Sequence, residues 1–133
     1  MFGWFYKEKY LIDVPEDFIG FVYKITFDNG DYYIGQKGFY STRRTKVAGK
    51  RNRKVTIKES NWRTYKSSSE VVKARIKQGD TYTQEVLYIC KNKSTLNYME
   101  AYVMFTQWVL TDPKALNKNI LMKVFHDPKG NYE

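Results

Sequence analysis

The sequence predicts an α+β domain in which a small antiparallel sheet of three strands, beginning with a β-hairpin, is flanked by helices. Two β-rich runs joined by a turn come early, a third β-rich run lies later, and two capped segments with helical spacing stand on either side of that third run. The 133 residues suit a single domain. We predict that this domain spans 1–133, with a core at about 20–125 and an N-terminal extension at 1–19.

The hairpin is predicted from residues 21–35, which read FVYKITFDNGDYYIG. β-Branched and aromatic residues fill both runs, and the Asp-Asn-Gly between them tolerates positive φ. Each run carries a tyrosine, Tyr23 and Tyr33, and strand pairing would bring both to one side of the hairpin. Either these phenols act on a substrate, or tyrosine is simply favoured in strands. The pattern alone leaves both interpretations open.

A basic segment follows the hairpin. Residues 43–58 read RRTKVAGKRNRKVTIK, with eight basic residues and no acidic one. We expect either a short helix with a loop or a long mobile loop here.

The charge of this segment, together with a net charge of +9 and a pI of about 9.5, favours a polyanionic partner. Nucleic acid is the first expectation and a membrane surface the second; the alternative is a plain solvated face. Exposed aromatic rings after the segment could stack on bases. The candidate nucleic-acid-binding residues are Lys37, Arg44, Lys46, Lys50, Arg51, Arg53, Lys54, Lys58, Trp62, Arg63, Tyr65 and Lys66.

The remaining elements follow from capping and periodicity. Ser67 and Glu70 fit a capping box that starts a short helix, which Gly79 stops. Tyr82–Cys90 has the composition of a third strand. Ser94 can cap a longer helix that runs to about Leu110. Beyond it, Ile120–Phe125 is predicted to be a strand or a docking tail, and the polar end of the chain to be frayed.

Glu100 is the only charged residue between Leu96 and Leu110. A buried carboxylate is costly unless it is paired or bound to a cation, so a buried Glu100 would be a candidate metal ligand or general acid/base. The alternative is that Glu100 lies on one exposed stripe of the helix, near Gln107.

Several classes of protein are excluded by composition. One cysteine, Cys90, allows no internal disulfide, and one cysteine with one histidine, His126, cannot form a Cys/His zinc site. His126 is isolated and is expected to be structural or exposed. No apolar run approaches the roughly 18 residues of a membrane span, and no signal-peptide order is present. We therefore expect a cytoplasmic protein.

Taken together, these features resemble the GIY-YIG endonuclease family. Phe21-Val22-Tyr23 stands where the first motif of that family would lie, and Tyr33-Ile34-Gly35 is a literal YIG. Arg43 follows Gly35 at the family's spacing, and Glu100 falls on a later helix. The stretch NWRTYKSSSE at 61–70 resembles part of the small nucleases of this type encoded by bacteriophages. Phe21 replaces the glycine of the first motif.

The resemblance implies a role for each matched residue. Tyr23 would be the general base or its relay, and Tyr33 would position water or phosphate. Arg43, with Arg44 as its rival, would neutralise a phosphate oxygen. Glu100 would hold one Mg²⁺ or Mn²⁺ ion. Asn117 would be the distal polar ligand or a structural partner, with Asn119 as the alternative.

The expected function is therefore a metal-dependent DNA endonuclease encoded by a phage and acting in the cytoplasm of the bacterial host, as a monomer or a homo-oligomer. Its use would be homing, attack on host DNA or processing of phage DNA. RNA is the alternative substrate. Competing functions are a non-catalytic nucleic-acid-binding protein that keeps the nuclease fold, and a phage protein that inhibits a host partner.

Overall fold

The computed structural model describes residues 3–120 and 131–133, which form an α+β fold with seven strands and two helices. The strands are β1 (Phe5–Tyr6), β2 (Lys9–Tyr10), β3 (Gly20–Phe27), β4 (Tyr32–Gly38), β5 (Tyr40–Thr45), β6 (Lys54–Glu59) and β7 (Tyr82–Cys90). The helices are α1 (Glu70–Lys77) and α2 (Lys93–Thr106). The α+β class is thus confirmed.

The main sheet is larger than predicted. Its strand order is β2-β1-β7-β3-β4, and β1 runs parallel to β7 while the other neighbours are antiparallel. The prediction of three antiparallel strands is correct for β7, β3 and β4 but misses β1 and β2, which have only two residues each. Such short strands carry no readable periodicity. The segment predicted as an N-terminal extension also places Trp4 in the core.

The sheet separates two hydrophobic clusters. On one face, Phe21, Tyr23 and Ile25 pack with Trp62 and with Val72 of α1. On the opposite face, residues of β3 and β4 pack against α2; this cluster contains Val22, Ile34, Leu96, Met99, Val103 and Met104. Because alternate residues of a strand point to opposite faces, β3 contributes to both clusters. Residues of β3 and β4 can therefore contact groups from either layer.

Both helices form in the regions where helical spacing predicts them, but α2 ends at Thr106 rather than near Leu110, and the capping residues differ. The Ser69 side chain caps α1 by accepting from the Val72 N–H, and the Asn92 side chain caps α2 by accepting from the Thr95 N–H. The predicted caps, Ser67 and Ser94, are therefore wrong. Several Ser and Asn residues precede each helix, and all of them are good N-caps, so sequence does not choose among them.

The basic segment is neither the helix with a loop nor the long loop that we predicted. It forms most of a β-hairpin, in which β5 pairs with β6 from Tyr40↔Glu59 to Thr45↔Lys54. Thr42, Thr45 and the Val55–Ile57 run are β-branched, and such residues favour paired strands. Because charged residues dominate the segment, its β-branched residues were not recognised as strand positions from the sequence.

The chain end also differs from the prediction. Glu133 exchanges two backbone hydrogen bonds with Ile89 of β7, so the last residues are paired rather than frayed. Ile120 is described without regular structure; the rest of the predicted Ile120–Phe125 segment and His126 lie outside the described residues. Within the described ranges, neither helix has the length and apolar character needed to cross a membrane.

Candidate active site

The hairpin of β3 and β4 brings the two motif tyrosines to the same face of the sheet. Tyr23 pairs with Gly35 and Ile25 pairs with Tyr33, and directly paired residues share a face. The ring centroids of Tyr23 and Tyr33 are 6.3 Å apart. Tyr23 is fully buried, whereas Tyr33 is partly exposed. Of the two phenols, Tyr33 is the one that a ligand can reach.

Gly35 is required by the position of the Tyr23 ring. A Cβ at Gly35 would lie 2.5 Å from Cζ of Tyr23, closer than real Cβ contacts come. The ring therefore lies directly across β4, where only a glycine leaves room for it. This packing ties the first tyrosine to the glycine of the YIG sequence, a connection that sequence reasoning did not make.

The environment of Tyr23 keeps its phenol protonated at neutral pH. Burial is the main cause that raises the pKa of Tyr23 well above its usual value of 10, and the neighbouring Tyr65 and Tyr33 add to the increase. The hydroxyl groups of Tyr23 and Ser67 also form a hydrogen bond of 3.5 Å, which partly offsets the increase. Arg43 is not among the groups that shift this pKa.

Glu100 lies on α2 and is buried, with 5% of its surface exposed. The alternative that it occupies an exposed stripe of the helix is therefore wrong. Desolvation by burial raises the pKa of Glu100 from 4.5 to about 7, although the Gln36 hydrogen bond and the positive charge of Lys93 oppose this increase. The carboxyl group is thus poised between its two protonation states near neutral pH.

Gln36 orients Glu100, and sequence reasoning missed it. Its Nε2 donates to Oε1 of Glu100 at 3.2 Å and to Oδ1 of Asn97 at 2.9 Å. Its Oε1 accepts from Nζ of Lys93 at 2.6 Å. Gln36 directly follows the YIG sequence, so its position next to a motif residue was the available signal.

Tyr33 and Glu100 line one cavity of about 270 Å³. It opens at the outer edge of β4. The complete lining is Tyr33, Gly35, Gln36, Ser68, Glu100, Met104, Asn117, Lys118 and Asn119. The cavity therefore combines residues from both layers of the fold.

Asn117 explains why the cavity begins where it does. The segment before it covers the edge of β4, since Leu116 N–H donates to the Tyr32 carbonyl at 2.7 Å. Asn117 then uses its whole amide on Ile34: Oδ1 accepts from the Ile34 N–H at 3.0 Å and Nδ2 donates to the Ile34 carbonyl at 2.8 Å. Beyond Ile34, Gly35 and Gln36 line the cavity. The amide of Asn117 therefore satisfies the backbone groups at the edge of β4, while Asn119 is exposed at the cavity.

The donor groups of the cavity fit a hard divalent cation such as Mg²⁺. No group of three or more His, Cys, Asp or Glu side chains that could hold a metal ion is found within 3–120 and 131–133. Mg²⁺ commonly binds through one or two carboxylates, with waters and substrate phosphates completing its coordination. Glu100 supplies one carboxylate next to open space, and its costly desolvation is the property that a bound cation would offset.

The other predicted residues lie outside this cavity. Arg43 and Arg44 are exposed on β5. The exposed basic residues Lys46, Lys50, Arg51, Arg53, Lys54 and Lys58 continue this surface through the connection and along β6. Lys37 of β4 is partly buried, and its Nζ lies 4.3 Å from the ring centroid of Tyr65; burial lowers the pKa of Lys37.

Trp62 is not available for base stacking, so the prediction of an exposed ring is wrong. Its side chain is fully buried and packs edge-on against Phe39, with ring centroids 5.2 Å apart. Arg63 is held by Glu59 and by the carbonyl of Ile12. An alternating polar and aromatic pattern resembles an exposed surface, but this segment covers the sheet with its aromatic side chains.

Tyr65 and Lys66, the last two predicted contacts, are partly buried. The Tyr65 ring packs edge-on to Tyr23, with ring centroids 6.1 Å apart, and Nζ of Lys66 lies 5.8 Å from the ring centroid of Tyr82. Both side chains therefore pack on the protein itself in this structure.

The chain matches one family model, described as "Putative endonuclease segE, GIY-YIG domain", over residues 4–120. No curated protein and no solved structure matches the chain. The matched range includes the β3–β4 hairpin, β5 and β6, and the cavity with Glu100.

Proposed function

Since this chain belongs to the GIY-YIG endonuclease family, we propose that it hydrolyses DNA phosphodiester bonds with the aid of a divalent metal ion, Mg²⁺ or Mn²⁺. The observation that carries the proposal is the shared cavity of Tyr33 and Glu100, which places a reachable phenol and a desolvated carboxylate on one open space. A phosphate group entering at the edge of β4 would meet both.

Glu100 is the residue that would hold the ion, with its carboxylate oriented by Gln36. When bound, the ion supplies positive charge that stabilises the charge developing on the phosphate. Because Glu100 must be deprotonated to bind a cation and its pKa is about 7, cation affinity should increase as the pH rises through neutrality.

We assign different roles to the two tyrosines because Tyr33 is partly exposed and Tyr23 is buried. Tyr33 would contact the phosphate or the attacking water, because its ring lines the cavity. Tyr23 fits the relay role better than the direct base role, since its buried phenol holds a proton and contacts Ser67. A protonated phenol can donate a hydrogen bond but cannot accept a proton before it has lost its own.

Arg43 would act on the phosphate from outside the cavity. It lies on the exposed strand β5, a short distance in sequence after the cavity-lining strand β4. A guanidinium there can make charge-assisted hydrogen bonds to a backbone phosphate without being buried. Arg44 points to the other face of the hairpin, because it neighbours Arg43 in a strand. We therefore retain Arg43 for this role.

The test is a plasmid assay with the full chain. Supercoiled DNA is incubated with protein and Mg²⁺ or Mn²⁺, with EDTA in a parallel sample, and nicked and linear products are separated on a gel. We expect cleavage by the wild type, loss of cleavage with EDTA and a loss of at least 100-fold for Glu100→Ala. Glu16→Ala, which removes an exposed carboxylate, is the matched control and should cleave normally.

The same samples distinguish the competing function. DNA binding in a gel-shift assay without nicking by the intact protein would contradict hydrolysis and support a non-catalytic nucleic-acid-binding protein. Replacing the plasmid by an RNA duplex tests the substrate preference. We also propose a bacteriophage source, with use in homing, attack on host DNA or processing of phage DNA; resistance of the phage's own DNA to cleavage would favour attack on host DNA.

A further inference from the structure

The hairpin of β5 and β6 is exposed along its whole length. All residues of both strands are exposed, and the strands form a separate two-stranded sheet that pairs with no other described strand. Six residues per strand give a ribbon of about 20 Å. An isolated ribbon is marginally stable in water, so its full exposure calls for a partner that covers it.

The base of the ribbon is anchored to the domain. Ser60 N–H donates to the Phe39 carbonyl at 2.8 Å, and Ser60 Oγ donates to the Gly38 carbonyl at 2.6 Å. Phe39 is fully buried beneath these bonds. The ribbon therefore leaves the domain from a fixed point directly after β4, the strand that lines the cavity.

The two faces of the ribbon have different chemistry. Arg43 pairs with Thr56, Ser41 with Lys58 and Thr45 with Lys54, so one face carries three cations and three hydroxyl groups. We call this the basic face; its residues are Ser41, Arg43, Thr45, Lys54, Thr56 and Lys58. The opposite face carries Tyr40, Thr42, Arg44, Val55, Ile57 and Glu59, with Glu59 bound to Arg63.

The far end of the ribbon is basic as well. The connection between β5 and β6 contains four further cations, all exposed: Lys46, Lys50, Arg51 and Arg53. The basic face and this connection together contain no acidic residue. A surface of this kind is complementary to the phosphates that border a DNA groove.

We propose that this ribbon inserts into the major groove of duplex DNA with its basic face towards the DNA. The major groove, about 12 Å wide, admits a two-stranded β-ribbon. Lysines, arginine and hydroxyl groups are the side chains that bond to phosphates and base edges. The inference deepens the proposed function, on which it rests for the choice of DNA, because insertion would fix the duplex next to the cavity at β4.

The first test measures how DNA affinity depends on salt, in EDTA so that no cleavage occurs. The slope of log K against log[salt] is negative, and removing two phosphate contacts should reduce its magnitude by about 1.8. We expect this change for Lys54→Gln/Lys58→Gln. The control Lys9→Gln/Lys77→Gln removes the same net charge at exposed positions of β2 and α1, outside the ribbon, and should leave the slope within about 0.5 of the wild type. Circular dichroism checks that both variants are folded.

The second test identifies the groove. Dimethyl sulfate modifies guanine N7 in the major groove and adenine N3 in the minor groove. Protection of guanine N7 by the wild type, lost in Lys54→Gln/Lys58→Gln, is the expected result. Protection of adenine N3 alone would overturn the proposal, as would equal slopes for the two double variants or equal affinity for a single strand of the same length.

Failure of this inference can be separated from failure of hydrolysis. Nicking with equal salt slopes would refute insertion of the ribbon and leave the endonuclease assignment intact. The expected slopes and guanine protection without nicking would support the ribbon and contradict hydrolysis.

Discussion

Glu100→Gln should make the protein more stable at alkaline pH while removing its cation site. The folded state raises the pKa of Glu100 from 4.5 to about 7. Between these two pH values the folded state binds a proton that the unfolded state does not, so stability falls as the pH rises through this window and stays low above it. At about 1.36 kcal/mol for each pKa unit, the full loss is about 3 kcal/mol. A glutamine side chain does not ionise, so Glu100→Gln should not lose stability in this way.

The assay is urea unfolding in the presence of EDTA at pH 4.5, 6 and 8.5. We expect Glu100→Gln to exceed the wild type by about 2–3 kcal/mol at pH 8.5 and to match it within about 0.5 kcal/mol at pH 4.5. Glu16→Gln serves as the control for an exposed carboxylate and should follow the wild type throughout. The reasoning would be refuted if Glu100→Gln were no more stable than the wild type at pH 8.5, or if its gain in stability were equally large at pH 4.5.

Adding Mg²⁺ to the same experiment tests the cation site without measuring cleavage. A ligand that binds only the folded state raises its stability with concentration. Mg²⁺ should therefore stabilise the wild type at pH 8.5, where Glu100 is ionised, and have little effect at pH 4.5. Equal stabilisation of Glu100→Gln by Mg²⁺ would show that the ion binds elsewhere.

Three further substitutions test the packing of the site. Gly35→Ala should lower the free energy of unfolding by about 1–3 kcal/mol, because the added Cβ meets the Tyr23 ring. In urea unfolding, most of this loss should disappear when Tyr23→Ala is also present. Additive effects of the two substitutions would contradict the contact. Asn117→Ala should lower the free energy of unfolding by about 2–4 kcal/mol, because it removes the hydrogen-bond partners of the Ile34 N–H and carbonyl groups. The exposed control Asn119→Ala should cost less than about 0.5 kcal/mol, and equal losses would refute the edge-cover role. Tyr23→Phe should lower the nicking rate at least tenfold with unchanged DNA affinity in gel shifts; cleavage at the wild-type rate would remove Tyr23 from the mechanism.

The sequence predicted the local elements of this protein correctly where composition and periodicity agreed. The β3–β4 hairpin and β7 lie where the β-rich runs predicted them, and α1 ends before Gly79 as expected. These elements depend mainly on neighbouring residues, through turn chemistry and side-chain spacing. The motif order also placed the chain in the correct family, which the match over residues 4–120 confirms.

Only the tertiary structure decided which side chains are buried and which groups share the cavity. Trp62 and Glu100 are buried by segments distant in sequence, and Asn117 binds the backbone of Ile34 across 83 positions of the chain. The Tyr23 ring and Gly35 belong to one hairpin, but their close approach follows from how the ring packs in the core. A local pattern cannot determine such contacts, because they depend on which layers the sheet brings together. The two faces of the basic segment are a similar case. Its charge was evident from the sequence, but the pairing of β5 with β6 decides that Arg43 lies beside Thr56 on one face and Arg44 beside Val55 on the other.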